Sequence, residues 1–154
     1  MTDTFSIFIP GQAAPQGSKR HVGKGILLES SKRVRPWRDL IVTMCHTQLH
    51  DRPDDRFVGP VDVWLTFRFD RPRHHYGTGR NANLLKPAAP TYPRTGGDLD
   101  KLMRAVADAI GRKHGAGVIA DDADIVTFNA AKRYATPLAP VGCDITITQA
   151  GRTQ

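Results

Sequence analysis

The sequence predicts an α/β fold: a single small domain over residues 1–150, with one mixed β-sheet and two main helices packed on it. Three observations point there. Val61 to Phe69 alternates apolar and polar residues at the period of a half-buried strand. Two other stretches, Pro36 to His50 and Asp98 to Gly111, repeat their apolar residues at helical spacing. The predicted order, strand, helix, strand, helix, strand, strand, contains no internal repeat, and 154 residues are enough for a core without disulfide staples.

Thr4 to Pro10 forms the first strand, with Phe5, Ile7 and Ile9 on one face. Gly11 to Gly25 is a Gly/Pro/Gln loop carrying Lys19, Arg20, His21 and Lys24, and the apolar run Gly25 to Glu29 is a candidate second strand. Pro36 opens the first helix, where its missing N–H costs nothing, and Trp37, Leu40, Ile41, Met44 and Leu49 make its buried stripe. The helix stops near His50, before Asp51-Arg52-Pro53. In Val61–Phe69 the odd positions point one way and Asp62, Trp64, Thr66 and Arg68 point the other. No periodicity survives between Asp70 and Gly97, so residues 72–97 read as a long basic loop of the functional or mobile kind. The second helix turns Leu99, Leu102, Met103, Val106 and Ile110 inward, and Ile125–Tyr134 and Cys143–Thr148 alternate as strands.

The chain carries 22 Lys and Arg against 15 acidic residues, a net charge of +7. Such a balance favours nucleic acid or another anionic surface as partner. Arg outnumbers Lys about two to one, and Arg offers phosphate a rigid bidentate fork. Cys45 and Cys143 are distant, form no CxxC pair and fall on apolar segments, as free thiols of a reducing compartment do. Met1-Thr2-Asp3-Thr4 shows no basic region followed by an apolar run, and no stretch approaches membrane-spanning length, so a soluble, cytoplasmic protein with no membrane partner is expected.

Against this basic background, Gly96-Gly97-Asp98-Leu99-Asp100-Lys101-Leu102 and then Asp121-Asp122 gather four of the 15 acids. Asp98 suits a helix cap, since a carboxylate there accepts free N–H groups and favours the positive end of the helix. Asp100, one step into the first turn beside a residue already able to cap, is not accounted for that way. Two residues apart across an extended-to-helical junction, the pair can converge on one point. Asp121-Asp122 reads either as an exposed turn, which Asp124 strengthens, or as a strand mouth delivering Asp122 beside the helix start. Three carboxylates brought together repel unless a cation joins them, and Mg²⁺ takes oxygen ligands while keeping waters, one of which can serve as nucleophile.

The run Gly97-Asp98-Leu99-Asp100-Lys101-Leu102-Met103-Arg104-Ala105-Val106-Ala107-Asp108-Ala109-Ile110, then Gly117-Val118-Ile119-Ala120-Asp121-Asp122-Ala123-Asp124-Ile125-Val126, then Lys132, resembles the RusA family of Holliday junction resolvases. The early segment Gly11 to Arg20 and the position of Trp37 are also similar to that family, and the likeness covers about nine-tenths of the chain. The resemblance implies a small homodimeric α/β endodeoxyribonuclease of a bacterial or phage-infected cell. Such an enzyme resolves four-way DNA junctions by paired symmetric cuts using Mg²⁺, with Mn²⁺ as the alternative ion. By position, Asp98, Asp100 and Asp122 match the family's metal-binding carboxylates and Asp121 its less critical neighbour. Arg104 stands where many members have a catalytic Lys, and Lys101 where many have Asn. Arg104 can stabilise developing phosphate charge but cannot exchange a proton near neutral pH, so Lys101 and Lys132 are the candidates for a catalytic ammonium. The competing reading of Arg104 is an i,i+4 ion pair with Asp108.

Three basic groups are candidate phosphate contacts: Lys19-Arg20-His21; Lys32-Arg33-Arg35-Arg38; and Arg68 through Arg80, including Arg73 and the pair His74-His75. Lys132-Arg133 adds a fourth position, of which at most one side chain faces the site, because strand neighbours point to opposite faces. Tyr76 and Tyr92 are candidates for stacking at an opened junction. His46 and His50, four apart on the first helix, lack a third ligand spaced to complete a zinc set. His114 follows a helix end, where a cation is favourable in any case. A restriction-type nuclease is disfavoured, because no acid-x-Lys occurs in the strands. The reading outside enzymes is a non-catalytic nucleic-acid-binding module whose acids only cap a helix and a turn.

Overall fold

The computed structural model describes residues 3–17 and 32–151, together with the backbone of 19–21 and 27–29. Its four-stranded sheet has the order β1-β6-β4-β5, with β1 Thr4–Pro10, β4 Val61–Phe69, β5 Ile125–Tyr134 and β6 Gly142–Gln149. β6 runs antiparallel to both β1 and β4, whereas β4 and β5 are parallel. The sheet is thus mixed, and two main helices, α1 Val34–Asp51 and α2 Leu99–Ile110, complete the predicted α/β architecture.

The alternation read from β4 holds along its whole length: Val61, Val63, Leu65, Phe67 and Phe69 are all buried. Register places them beside Ile147, Ile145 and Cys143 of β6, and Phe5 and Ile9 of β1 extend the same layer. The helices close this face with Trp37, Ile41, Leu102, Val106 and Ile110. Burying each such side chain is worth about 1.5–3 kcal/mol, which gives both helices their docking energy.

Several expectations are corrected. Lys19–His21, expected as loop, is strand β2; it pairs antiparallel with β3, Leu27–Glu29, in a separate two-stranded sheet. Alternation cannot flag a three-residue strand. α1 starts at Val34, so Pro36 lies within its first turn. Its stripe is Val34, Trp37, Ile41, Cys45 and Leu49, while Leu40 is 37% exposed. At 3.6 residues per turn, Leu40 lies roughly 60° beyond Trp37, past the edge of the contact. Arg68, a candidate phosphate contact, does lie on the face opposite Phe67 and Phe69, but it is buried there: it donates to the Pro140 carbonyl, pairs with Asp144 and lies over the Phe8 ring.

The stretch from Asp70 to Gly97 has no long element but is tied together internally. Short 3-10 turns occupy Arg73–His75 and Gly79–Asn81, and Gly77 and Lys86 donate to the carbonyls of Leu84 and His75. Arg71 donates to the Pro90 carbonyl and stacks 4.0 Å from the Tyr134 ring centroid. Part of this loop's positive charge therefore serves its own architecture.

Cys45 and Cys143 are both free and buried. Burial pushes the Cys45 thiol up to about 12 and raises Cys143 as well, so neither is a thiolate near neutrality. Iodoacetamide at pH 8 should therefore label neither in the native protein and both in guanidinium chloride. Fast stoichiometric labelling of the native chain would contradict this packing.

Candidate active site

The entry to α2 is set by two glycines. Gly96 and Gly97 have φ of 87° and 108°, a region that side chains with a Cβ rarely enter. A Cβ on Gly96 would stand 2.6 Å from the Phe69 ring, and one on Gly97 would stand 2.6 Å from Pro15. This tight passage delivers Asp98 as the N-cap residue in extended conformation. Its backbone carbonyl accepts from Leu102 N, yet its carboxylate makes no capping bond. That carboxylate is 76% exposed and stands 3.6 Å from the Lys101 ammonium. Its exposure leaves it open to a ligand, and the side-chain cap considered above is not formed.

Two other segments reach this junction. Gln16 N donates to the Lys101 carbonyl, anchoring the start of the N-terminal loop on α2. From β5, Lys132 extends inward and donates Nζ to the Gly97 carbonyl at 2.9 Å, 5.6 Å from the Phe69 ring centroid. Burial pushes the Lys132 ammonium below the usual lysine range, while the Asp98 charge draws it back up. Its strand neighbour Arg133 lies over Tyr92 instead, so only one of the two faces the junction.

The second half of the site follows from the chain path. A parallel β4-α2-β5 connection makes α2 run back along β5, and β5 is the edge strand. With no strand beyond it, the core-side residues Ile125 and Phe128 are only partly covered. There an open groove of ≈ 330 Å³ runs between helix and strand. Met103, Ala107, Ile125 and Phe128 form its apolar lining; Asp100, Arg104 and Asp122 supply its charge. Asp108 pairs with Arg38 of α1 at 3.4 Å rather than with Arg104. Arg104 makes no ion pair with any described residue and is exposed in the groove.

Asp121 and Asp122 are adjacent but differently employed. The Asp121 carboxylate accepts from Ala123 N at 2.9 Å, capping the 3-10 turn Asp122–Asp124. That N–H holds its carboxyl below the usual carboxylate range, the Asp122 side chain adds to this, burial opposes it, and the nearby Lys113 charge lowers it further. Asp122 is exposed and lines the groove. A smaller pocket of ≈ 140 Å³ continues past Asp122 to Asp108, Gly111, Arg112, Lys113 and His114.

The structure thus gathers Asp100, Arg104 and Asp122 in one groove, with Asp98, Lys101 and Lys132 at the neighbouring helix entry. Among the described residues, no group of three or more His, Cys, Asp or Glu side chains is placed to hold a metal ion. Mg²⁺ commonly takes one or two carboxylates and completes its sphere with waters and substrate phosphate. The two oxygen donors Asp100 and Asp122, open to solvent in one groove, fit that pattern. Of the candidate phosphate contacts, Arg33 and Arg35 are exposed at the start of α1, and Arg80 is exposed on its short turn. Arg73 is committed to the Ala82 carbonyl, and the side chains of Lys19 and Arg20 lie outside the described residues. Sequence reasoning passed over Arg112 and Lys113; three consecutive basic residues, shortly before an acidic pair, were the available signal.

No described helix is long and apolar enough to cross a membrane. No curated protein sequence matches the chain. A family model described as endodeoxyribonuclease RusA matches residues 10–147, which takes in the helix entry, the groove and the strands that build them. With that match spanning nearly all of its length, the chain belongs to the RusA endodeoxyribonuclease family.

Proposed function

We propose that the chain acts as a homodimer that cuts four-way DNA junctions by paired, symmetric phosphodiester hydrolysis with Mg²⁺. As a RusA family member it is an endodeoxyribonuclease of the Holliday junction resolvase type, and such nucleases depend on divalent metal. The observation that carries the finer reading is the groove that Asp100, Arg104 and Asp122 share. Asp100 and Asp122 would hold the metal, while Asp98 stays at the helix entry beside Lys101. When bound, a divalent cation supplies Lewis-acid polarisation of the phosphodiester and lowers the pKa of water.

The chain's own residues do the rest. Arg104, unpaired with described neighbours, grips a non-bridging phosphate oxygen with its guanidinium fork and stabilises the charge that builds there during displacement. Lys132 holds the Gly97 carbonyl, and with it the turn that presents Asp98. Exposed Arg33, Arg35 and Arg80, together with Lys19 and Arg20, provide further phosphate contacts, and the loop 72–97 is part of the DNA-binding surface. A two-fold dimer offers two such grooves to two strands of like polarity, matching the symmetry of a junction.

The test is a labelled four-way junction and a linear duplex of the same sequence, each incubated with Mg²⁺ or EDTA. Paired nicks at symmetric positions, on the junction only and with Mg²⁺ only, are the expected result. Equal cutting of the linear duplex would remove junction selectivity. Binding without cutting under any divalent metal would instead favour the non-catalytic module.

A further inference from the structure

The basic turn after α2 carries more charge than its one local electrostatic partner accounts for, Lys113 acting on the Asp121 carboxylate. Cations at this position commonly complement the unsatisfied carbonyls of a helix end. Here three of the last four helix carbonyls, those of Ala107, Ala109 and Ile110, already accept from the backbone N–H groups of Gly111, Ala116 and Ile119. Arg112, Lys113 and His114 are exposed, and none makes a hydrogen bond or ion pair with a described residue. Three acids line the same pocket: Asp108 is neutralised by Arg38, Asp121 is bonded to Ala123 N and feels the Lys113 charge, and Asp122 is shared with the groove, which leaves Arg112 without an acidic partner among the described residues.

The turn is also held firmly in place. Gly115 passes so close beneath α2 that a Cβ there would stand 2.0 Å from the Ala109 carbonyl oxygen. The cations are thus presented from a tight scaffold rather than a swinging loop. Their pocket shares Ala107 and Asp122 with the groove that holds Asp100 and Arg104. Acid and base therefore follow one another along a single track: Asp100 and Arg104, then Asp122, then Arg112 and Lys113.

We infer that Arg112 and Lys113, with His114 beside them, form a second phosphate subsite, which takes a backbone phosphate flanking the one that Arg104 grips in the groove. The subsite rests on the nuclease reading of the groove, and its ligand is the phosphodiester backbone of the same DNA strand. It contributes binding and strand register, not chemistry. Guanidinium and ammonium groups suit this, since neither reads bases and each releases a condensed counterion on binding.

The experiment measures equilibrium binding of a four-way junction in EDTA across a range of salt concentrations, for wild type and for Arg112→Gln/Lys113→Gln. Each lost phosphate contact flattens the log–log salt slope by about 0.9, so a decrease approaching 2 is expected, with binding about 10–100-fold weaker at low salt. A second variant, Arg112→Lys/Lys113→Arg, keeps the charges and should keep the slope. On the unmodified protein, bound junction should protect Lys113 from acylation by an amine-reactive ester, a readout independent of how any variant folds. An unchanged slope for a folded glutamine variant, or full acylation of Lys113 in the complex, would overturn the subsite. Metal-dependent nicking is scored separately on wild type, so failure of the nuclease reading and failure of the subsite are told apart.

Discussion

Asp122→Asn lowers junction nicking by about 10³-fold, whereas Asp121→Asn lowers it by less than about tenfold. The contrast follows from what each carboxylate does. Asp121 uses one oxygen as an acceptor for Ala123 N, and an asparagine carbonyl accepts that same bond. Asp122 lines the groove with Asp100 and Arg104, and in the proposed function its negative charge is what holds a cation there. Asparagine preserves its shape and removes that charge. Asp100→Asn belongs with Asp122→Asn for the same reason. Both are exposed, so the melting temperature should barely move, and loss of rate with retained junction binding is the signature to look for. Equal losses at Asp121 and Asp122 would show that the turn bond does not separate the two residues.

Gly97→Ala costs about 2–4 kcal/mol of stability and at least about tenfold in nicking rate, measured below the variant's lowered unfolding transition. Two penalties combine at this residue. Its φ of 108° is strained for any residue with a Cβ, and the added methyl would stand 2.6 Å from Pro15. Relief requires the turn or the N-terminal loop to move. The turn's carbonyl anchors Lys132 and its next residue is Asp98, while the loop's Gln16 is bonded to Lys101. Movement on either side disturbs the entry to α2. Urea denaturation gives the stability change and nicking at low temperature gives the rate. A variant with wild-type midpoint and wild-type rate would refute the role assigned to this passage.

The legible parts of the fold were those in which a face repeats. Val61–Phe69 could be assigned from alternation because all five odd positions meet the same buried layer. α2 was equally plain, since Leu102, Val106 and Ile110 lie one turn apart and all are buried. Gly-Gly before Asp98 marked the helix entry, because side chains with a Cβ are disfavoured where φ is positive. Less legible were features that depend on a neighbour. Leu40 looks like stripe until the width of the α1 contact is known, and Arg68 looks like solvent until Asp144 and the Pro140 carbonyl are beside it. Asp108 lies four residues from Arg104 on one helix, yet it pairs with Arg38 seventy residues away in sequence.

Residue order alone set the charge pattern, the buried faces of the long elements and the family run from Asp98 to Asp122. Each of these is set by residue type and short-range spacing, through the periods of helix and strand. Tertiary structure alone decided that β5 is an edge strand and that α2 runs back along it, so that a groove opens between them. It also decided that Asp122, not Asp121, lines that groove beside Asp100, that Lys132 turns in to Gly97, and that Arg112 and Lys113 border the acids. Those outcomes depend on which strand pairs with which and on what covers each face. Local spacing carries no record of either, because the partners are distant in sequence and meet only when the sheet is assembled.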